Sequence, residues 1–299
     1  MQQSPTLIGR FAPSPTGPLH LGSLYTALAS FLAARSQQGQ WLLRIDDLDT
    51  PRNCRGSVES ILTTLDTYGL HWDGHVFYQS QQLPYYEDAL SRLKALNMLY
   101  PCVCSRKMLD SAHYPGHCRH LSATPDTAYA LRVKTDAQRL SFNDELQGMV
   151  GVQANAQGDF IIRRKDQIFA YQFAVVIDDA QQHVNQIVRG CDLLDATPKQ
   201  LYLQQLFGLP HPHYLHVPLI IDQQGQKLSK QTLAKAVSLN APAKVLFHLL
   251  KLLKQQPPHE LEYASSQELL AWGILHWNPQ PLKNLRQIYP PDVTDAKHY

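Results

Sequence analysis

Residues 6–11, Thr-Leu-Ile-Gly-Arg-Phe, make a short apolar run that predicts a buried strand. Leu24, Ala27, Leu28, Phe31 and Leu32 then repeat at helical spacing, with Gly39 as the stop beyond that helix. Residues 41–45 predict a second strand, which runs into the acidic cluster Asp46, Asp47 and Asp49. Val58, Ile61, Leu62 and Leu65 mark a second helix that closes near Gly69. Strand, helix, strand, helix is the pattern of a parallel sheet in an α/β fold. Pro84 suits the first position of a further helix carrying Ala89, Leu90, Leu93 and Leu96 on one face.

Residues 100–166 lack this periodicity and predict an irregular insertion within the sheet domain. Strand-like runs resume over residues 168–177, and Thr197-Pro198 supplies an N-cap and first residue for a helix to Phe207. Residues 217–221 predict a last strand. Val245, Leu246, Leu249, Leu250, Leu252 and Leu253 are helical in spacing, and the Pro-rich end from about Pro279 is expected to be loosely ordered. The domain organisation expected is 1–99 with 167–235 as the catalytic domain, 100–166 as a connective insertion and 236–299 as a helical C-terminal region. No internal repeat is present.

The 299 residues are 44% hydrophobic and 17% charged, an ordinary globular composition long enough for one large domain and a satellite. No apolar run reaches bilayer length, which excludes a spanning helix, and the start lacks a signal-peptide pattern. A cytoplasmic location is therefore expected. There the five cysteines would be reduced thiols or metal ligands. A net charge of +2 and a pI of 8.2 are only weakly basic, so charge by itself does not point to nucleic acid.

The chemistry sits in two segments far apart. Arg10-Phe11-Ala12-Pro13-Ser14-Pro15-Thr16-Gly17 leads from the first strand to His20-Leu21-Gly22-Ser23 at the start of the first helix. A helix start carries unsatisfied N–H groups and partial positive charge, which suit phosphate. Gly22 allows close approach, and His20 could donate to an α-phosphate oxygen. Lys227-Leu228-Ser229-Lys230-Gln231 is a small basic loop after the last expected strand. Lys227 and Lys230 could meet the outer phosphates of ATP and stabilise a departing pyrophosphate. Each motif alone is common; their order, one after the first strand and one after the last, joins them.

These residues resemble the two signatures of class I aminoacyl-tRNA synthetases of the glutamyl type. Within that family the chain looks most like the shortened paralogues, on the Gly17-Pro18-Leu19-His20-Leu21-Gly22-Ser23 wording, on Gln231, and on the short stretch that follows it. The resemblance implies a Rossmann-like nucleotide-binding domain with a connective insertion, a short helical region and no anticodon-binding domain. It implies activation of glutamate by ATP with Mg²⁺ to glutamyl-adenylate. It also implies transfer of the glutamyl group to the queuosine base in the anticodon of tRNA(Asp). The catalytic residues would be His20, Lys227 and Lys230, with Gly22 and Ser23 also at ATP. A monomer with no DNA and no membrane partner is expected. Two rivals stay open: a minimal enzyme charging the terminal ribose of tRNA(Glu), and a small-molecule nucleotidylyltransferase that uses no tRNA.

Arg10 lies where α/β sheets bind ligands and could grip a side-chain carboxylate in two prongs. Arg189 and Tyr171 are further candidates. The resemblance adds Phe11, Ala12, Pro13, Ser14 and Asp46 to the glutamate site. The family usually has Glu where this chain has Asp46, which is shorter by one methylene, so contact with the substrate's ammonium group would run through water. The residues themselves also allow each arginine to pair with a structural carboxylate such as Asp178 or Asp192. Cys102, Cys104 and Cys118 fall in one short stretch and suggest tetrahedral zinc. The resemblance makes Tyr114 the fourth ligand, with His113, His117 and His120 as conventional competitors. Three free thiols are the plain alternative.

Overall fold

The computed structural model describes residues 6–108, 114–121, 126–156, 158–221 and 235–289, the side chain of Arg106 excepted. Strand β1 (Ile8–Phe11) and β2 (Gln40–Ile45) are parallel, with Arg10 opposite Leu42, and helix α1 (Leu21–Arg35) connects them. Ten of the residues of α1 are buried, Leu24 to Ala34 almost without a break, because the sheet covers one side and the C-terminal helices the other. The positive-φ residue that ends α1 is Gln38 and not Gly39. Gly39 is needed for space: a Cβ there would lie 2.6 Å from the Leu7 carbonyl oxygen. Helix α2 (Ser57–Thr67) returns the chain to β3 (Phe77–Tyr78), parallel to β2. In helix α3 (Leu83–Ala95) Pro84 is the second residue, not the first.

Residues 100–166 are not irregular. Strands β4 (Leu99–Cys102), β5 (Ala130–Val133) and β8 (Phe160–Arg163) form a small antiparallel sheet. Between them, β6 (Arg139–Asp144) and β7 (Gly148–Gln153) form a hairpin. Its β6 edge joins the main sheet beside β10 (His213–Val217), which in turn is parallel to β9 (Gln186–Gly190). Strand β1 lies along β9 through Asn185, whose amide donates to the Ile8 carbonyl at 3.0 Å while its Oδ1 accepts from Ile8 N at 2.8 Å. Two sheets, β3-β2-β1 and β9-β10-β6-β7, thus lie edge to edge at β1 and β9 and together form the main sheet. Arg10, Asp46, Arg189 and His216 all sit at or near the carboxyl ends of its parallel strands, the edge where open α/β sheets bind ligands.

The strand expected over residues 168–177 is instead helix α4 (Tyr171–Gln181). Val175, Val176 and Ile177 favour strand intrinsically, but Phe173, Ala174, Val176 and Ile177 fall on one helical face and pack into a core with α3 and α5 (Thr197–Phe207). Burial of that face overrides propensity. Thr197 is the first residue of α5 rather than its cap. The run 217–221 divides between β10 and β11 (Leu219–Ile220). Helix α7 (Ser266–His276) packs on α1 and α6 (Pro242–Leu252) on α7, and β12 (Gln287–Ile288) pairs with β11. The loose end expected from Pro279 is therefore not found over residues 279–289, where Leu282 and Ile288 are buried.

Candidate active site

The first signature wraps the carboxyl end of β1. Asp46 N donates to the Pro13 carbonyl at 3.0 Å and Cys54 N to that of Pro15 at 2.9 Å, which ties the Pro-rich turn to the segment after β2. Phe11 stacks on buried Trp41, Ala12 and Pro13 are half-buried, and Ser14 is exposed. His20 is the N-cap of α1: its Nδ1 accepts from Ser23 N at 3.2 Å, and Ser23 Oγ accepts from His20 N at 2.8 Å. The neutral imidazole therefore carries its proton on Nε2 and is a donor there. Gly22 is the second residue of the helix. Residues 227–231, with Lys227 and Lys230, lie outside the described residues. Just beyond them in sequence, Ala236 pairs with His20 and Val237 N donates to the Leu19 carbonyl at 3.0 Å.

Arg10 is buried, and its Nε donates to Asp179 Oδ1 at 3.2 Å. That carboxylate also accepts from Arg44 Nη1 at 2.7 Å, and Arg44 Nε donates to Asp46 Oδ1 at 2.8 Å. The pairing of Arg10 with a carboxylate, allowed by the sequence, is realised with Asp179 rather than Asp178 or Asp192. Asp178 stands 3.8 Å from Arg44 and accepts from Tyr86 and Gln79, each at 2.6 Å. Burial pushes Asp178 up to about 7 against these partners. Burial likewise raises Asp46 above the carboxylate range, whereas Asp179 falls below it because Arg10 and Arg44 outweigh its burial. Asp47, next to Asp46, is spent elsewhere: its oxygens accept from Ser80 N at 2.8 Å and Ser80 Oγ at 2.7 Å.

Arg189 is 4% exposed. Its Nε donates to His216 Nε2 at 2.9 Å and its Nη2 to Thr197 Oγ1 at 2.8 Å, while Nη1 is buried without a partner. Among the described residues no carboxylate lies within ion-pair distance of it. Tyr214 lies under the guanidinium at 5.4 Å. Burial raises the Tyr214 hydroxyl, opposed by the charges of Arg189 and Arg10. Tyr171, the first residue of α4, is 38% exposed. Arg44, Asp179, His216 and Thr197 are site residues that sequence reasoning missed. The available signal was an ionisable residue inside an apolar run, Arg44 in Leu42-Leu43-Arg44-Ile45 and His216 in Tyr214-Leu215-His216-Val217.

The three thiols do converge. The sulfurs of Cys102, Cys104 and Cys118 lie within 4.8 Å of one another, and neither His117 nor His120 belongs to that group. The Tyr114 hydroxyl is 3.4 Å from Cys102 Sγ and 3.9 Å from Cys104 Sγ, and it accepts from Cys118 N at 2.9 Å. His113 lies outside the described residues. Gly158, at φ +71°, allows this packing, since a Cβ there would meet the Tyr114 carbonyl oxygen at 2.2 Å. Burial and the neighbouring sulfurs push Cys104 up to about 11. Cys102 falls below the usual thiol value, because hydrogen bonds with Tyr114 and Arg132 outweigh its burial. Three sulfurs and one phenol oxygen suit a tetrahedral zinc ion, which would gather thiols that otherwise crowd one another. Cys54 and Cys191 stand apart from this group.

Residues 6–272 match the family described as tRNA synthetases class I (E and Q), catalytic domain. A glutamyl-Q tRNA(Asp) synthetase of Pseudomonas syringae pv. syringae is 47% identical over 96% of this chain and 98% of its own. One from Aromatoleum aromaticum is 45% identical over 98% and 96%. Among solved structures, a glutamate tRNA ligase from Elizabethkingia meningosepticum superposes with a TM-score of 0.79 at 23% identity, covering 95% of this chain and 67% of that one. Among the described residues no helix is long and apolar enough to cross a membrane.

Proposed function

The chain belongs to the class I tRNA synthetases of the glutamyl and glutaminyl type and is a ligase, and from that premise we propose that it activates glutamate with ATP and passes it to the queuosine base of tRNA(Asp). The observation that carries the amino-acid part is Arg189: a buried guanidinium at the carboxyl edge of the sheet, held by neutral acceptors and with one nitrogen unpaired. Such a group attracts an anionic side chain. Arg10, its own charge anchored on Asp179, and Tyr171, half-exposed at the start of α4, are assigned to the same pocket on the resemblance to the glutamyl family. Asp46, fixed by Arg44, takes the ammonium end through water.

The α-carboxylate of glutamate attacks the α-phosphate of ATP, the bond to the bridging oxygen breaks, and pyrophosphate leaves. His20 Nε2–H and the start of α1 with Gly22 and Ser23 meet the phosphates. Lys227 and Lys230, which lie outside the described residues, are assigned to the outer phosphates, with Mg²⁺ accompanying ATP, on the resemblance of residues 227–231 to the second signature. Queuosine as acceptor rests on the names of the relatives. Cys102, Cys104, Tyr114 and Cys118 would hold zinc, which supplies a structural cross-link to the small sheet. Work on tRNA fits a cytoplasmic, monomeric protein.

ATP–pyrophosphate exchange tests the first step, with glutamate-dependent exchange expected in the absence of tRNA. Labelled glutamate is then expected on tRNA(Asp) that carries queuosine and not on the unmodified tRNA. Label on the terminal ribose of tRNA(Glu) would make the chain a minimal ordinary synthetase. Absence of exchange with every amino acid tried would remove the activation step altogether.

A further inference from the structure

We propose that His216 is a positioning residue of the amino-acid pocket, a neutral hydrogen-bond acceptor that fixes Arg189 without cancelling its charge. The inference rests on the reading of Arg189 as the group that holds glutamate's side-chain carboxylate.

The two residues are direct cross-strand partners, His216 on β10 opposite Arg189 on β9. Arg189 Nε lies 2.9 Å from His216 Nε2. A guanidinium has donors only, so Nε2 must accept and carries no proton. The ring proton is therefore on Nδ1, 2.6 Å from Asp144 Oδ2, which accepts it. Asp144 is itself fixed: its oxygens also accept from the amides of Leu146 at 3.0 Å, Gln147 at 2.8 Å and His216 at 3.1 Å. Both side chains of this pair are fully buried, and burial lowers the His216 pKa, in keeping with a neutral ring.

The outcome differs from that at Arg10. There the acceptor of Nε is the carboxylate of Asp179. At Arg189 the acceptors are an imidazole nitrogen and the Thr197 hydroxyl, and the carboxylate stands one residue further back. A carboxylate in direct contact would fix the guanidinium equally well but would neutralise it towards a substrate. The imidazole separates those two effects. It holds Nε while leaving the full charge, and the unpaired Nη1, for an anion. His216 in this role favours an acidic over a neutral side chain without touching the substrate.

The test uses exchange kinetics on the full chain with His216→Phe, His216→Gln and, as reference, Arg189→Ala, each with a melting curve. His216→Phe keeps ring volume and removes the acceptor. It is expected to raise KM for glutamate about tenfold or more, the scale of a lost hydrogen bond to a charged group. KM for ATP and kcat at saturating glutamate are expected to stay at the parent values. His216→Gln, whose amide oxygen can accept from Nε, is expected to restore part of the glutamate affinity. A parent-like glutamate KM in His216→Phe, with Arg189→Ala raised, overturns the inference and leaves the glutamate reading standing. A parent-like KM in Arg189→Ala overturns both. Nitrogen-15 shifts of the His216 ring in the parent protein, assigned by comparison with His216→Gln, are expected to show a neutral ring protonated on Nδ1. The Nε2–H tautomer or an imidazolium would overturn the proposal independently of how the Phe variant folds.

Discussion

At the carboxyl edge of the main sheet, Arg10, Arg44, Asp46, Asp178 and Asp179 are buried together inside a frame of helices and strands that packs without them. Beside the small antiparallel sheet, Cys102, Cys104, Tyr114 and Cys118 form, among the described residues, a separate cluster with Tyr100 and Val103, apart from the apolar core that Val133, Phe160 and Ile162 of the same sheet share with α3, α4 and α5. The first cluster neutralises its own charge through paired side chains. The second packs weak donors against each other, with Cys104 and Cys118 sulfurs 3.6 Å apart, and carries little apolar surface to hold them. The comparison teaches that buried polarity can be satisfied by charges paired within the chain in one place and left as uncharged donors crowded together, in a set that could hold a cation, in another.

The largest expected effect breaks the first cluster. Arg44→Met leaves Asp46 and Asp179 without their shared cation in a dry site, and is expected to destabilise the chain by about 3–5 kcal/mol in denaturant unfolding. A loss below about 1 kcal/mol would mean that water reaches these carboxylates. The second cluster responds differently. One zinc per chain is expected by atomic spectroscopy. Chelation is expected to increase hydrogen exchange in β4, β5 and β8 while β1, β2, β9 and β10 stay protected. Uniform loosening of both sheets would erase the distinction between the two regions.

A third effect concerns pH. Asp178 holds a proton up to about pH 7 in the folded chain but only to roughly 3.9 when unfolded. Between those values the folded state binds more protons, so this group makes stability fall as pH rises, by at most about 1.4 kcal/mol per pH unit. Asp178→Asn cannot titrate, and its stability is expected to fall less than the parent's between pH 4 and 7. Asp179 and Asp144, held below the carboxylate range, act in the opposite direction in both proteins and cancel in the difference. Parallel curves for parent and variant would show that Asp178 is ionised throughout.

Much of the site was legible along the chain. The first signature is contiguous, so the turn at residues 12–17, the helix start at His20 and the arginine at the end of β1 could be read in order. The cysteines stood out by spacing, and the structure gathers them. The partners of the arginines were not legible. Asp179 reaches Arg10 and Arg44 only because residues 171–181 form a helix, and their β-branched run predicts a strand. His216 meets Arg189 only through the register of β9 on β10. The β6–β7 hairpin did carry a signal, though a short one: Leu140 and Phe142 alternate with Arg139, Ser141 and Asn143, the period of a half-buried strand.

Local patterning thus determined the alternation of strands and helices in the first half of the chain, the family signatures and the identity of the chemical groups. Those follow from side-chain type and short-range geometry, which a linear sequence displays. Tertiary structure alone decided which charge Asp179 neutralises and that Arg189 keeps an unpaired nitrogen. Such pairings depend on burial and on contacts across more than a hundred residues, as between Arg44 and Asp179, and nothing in local order encodes them.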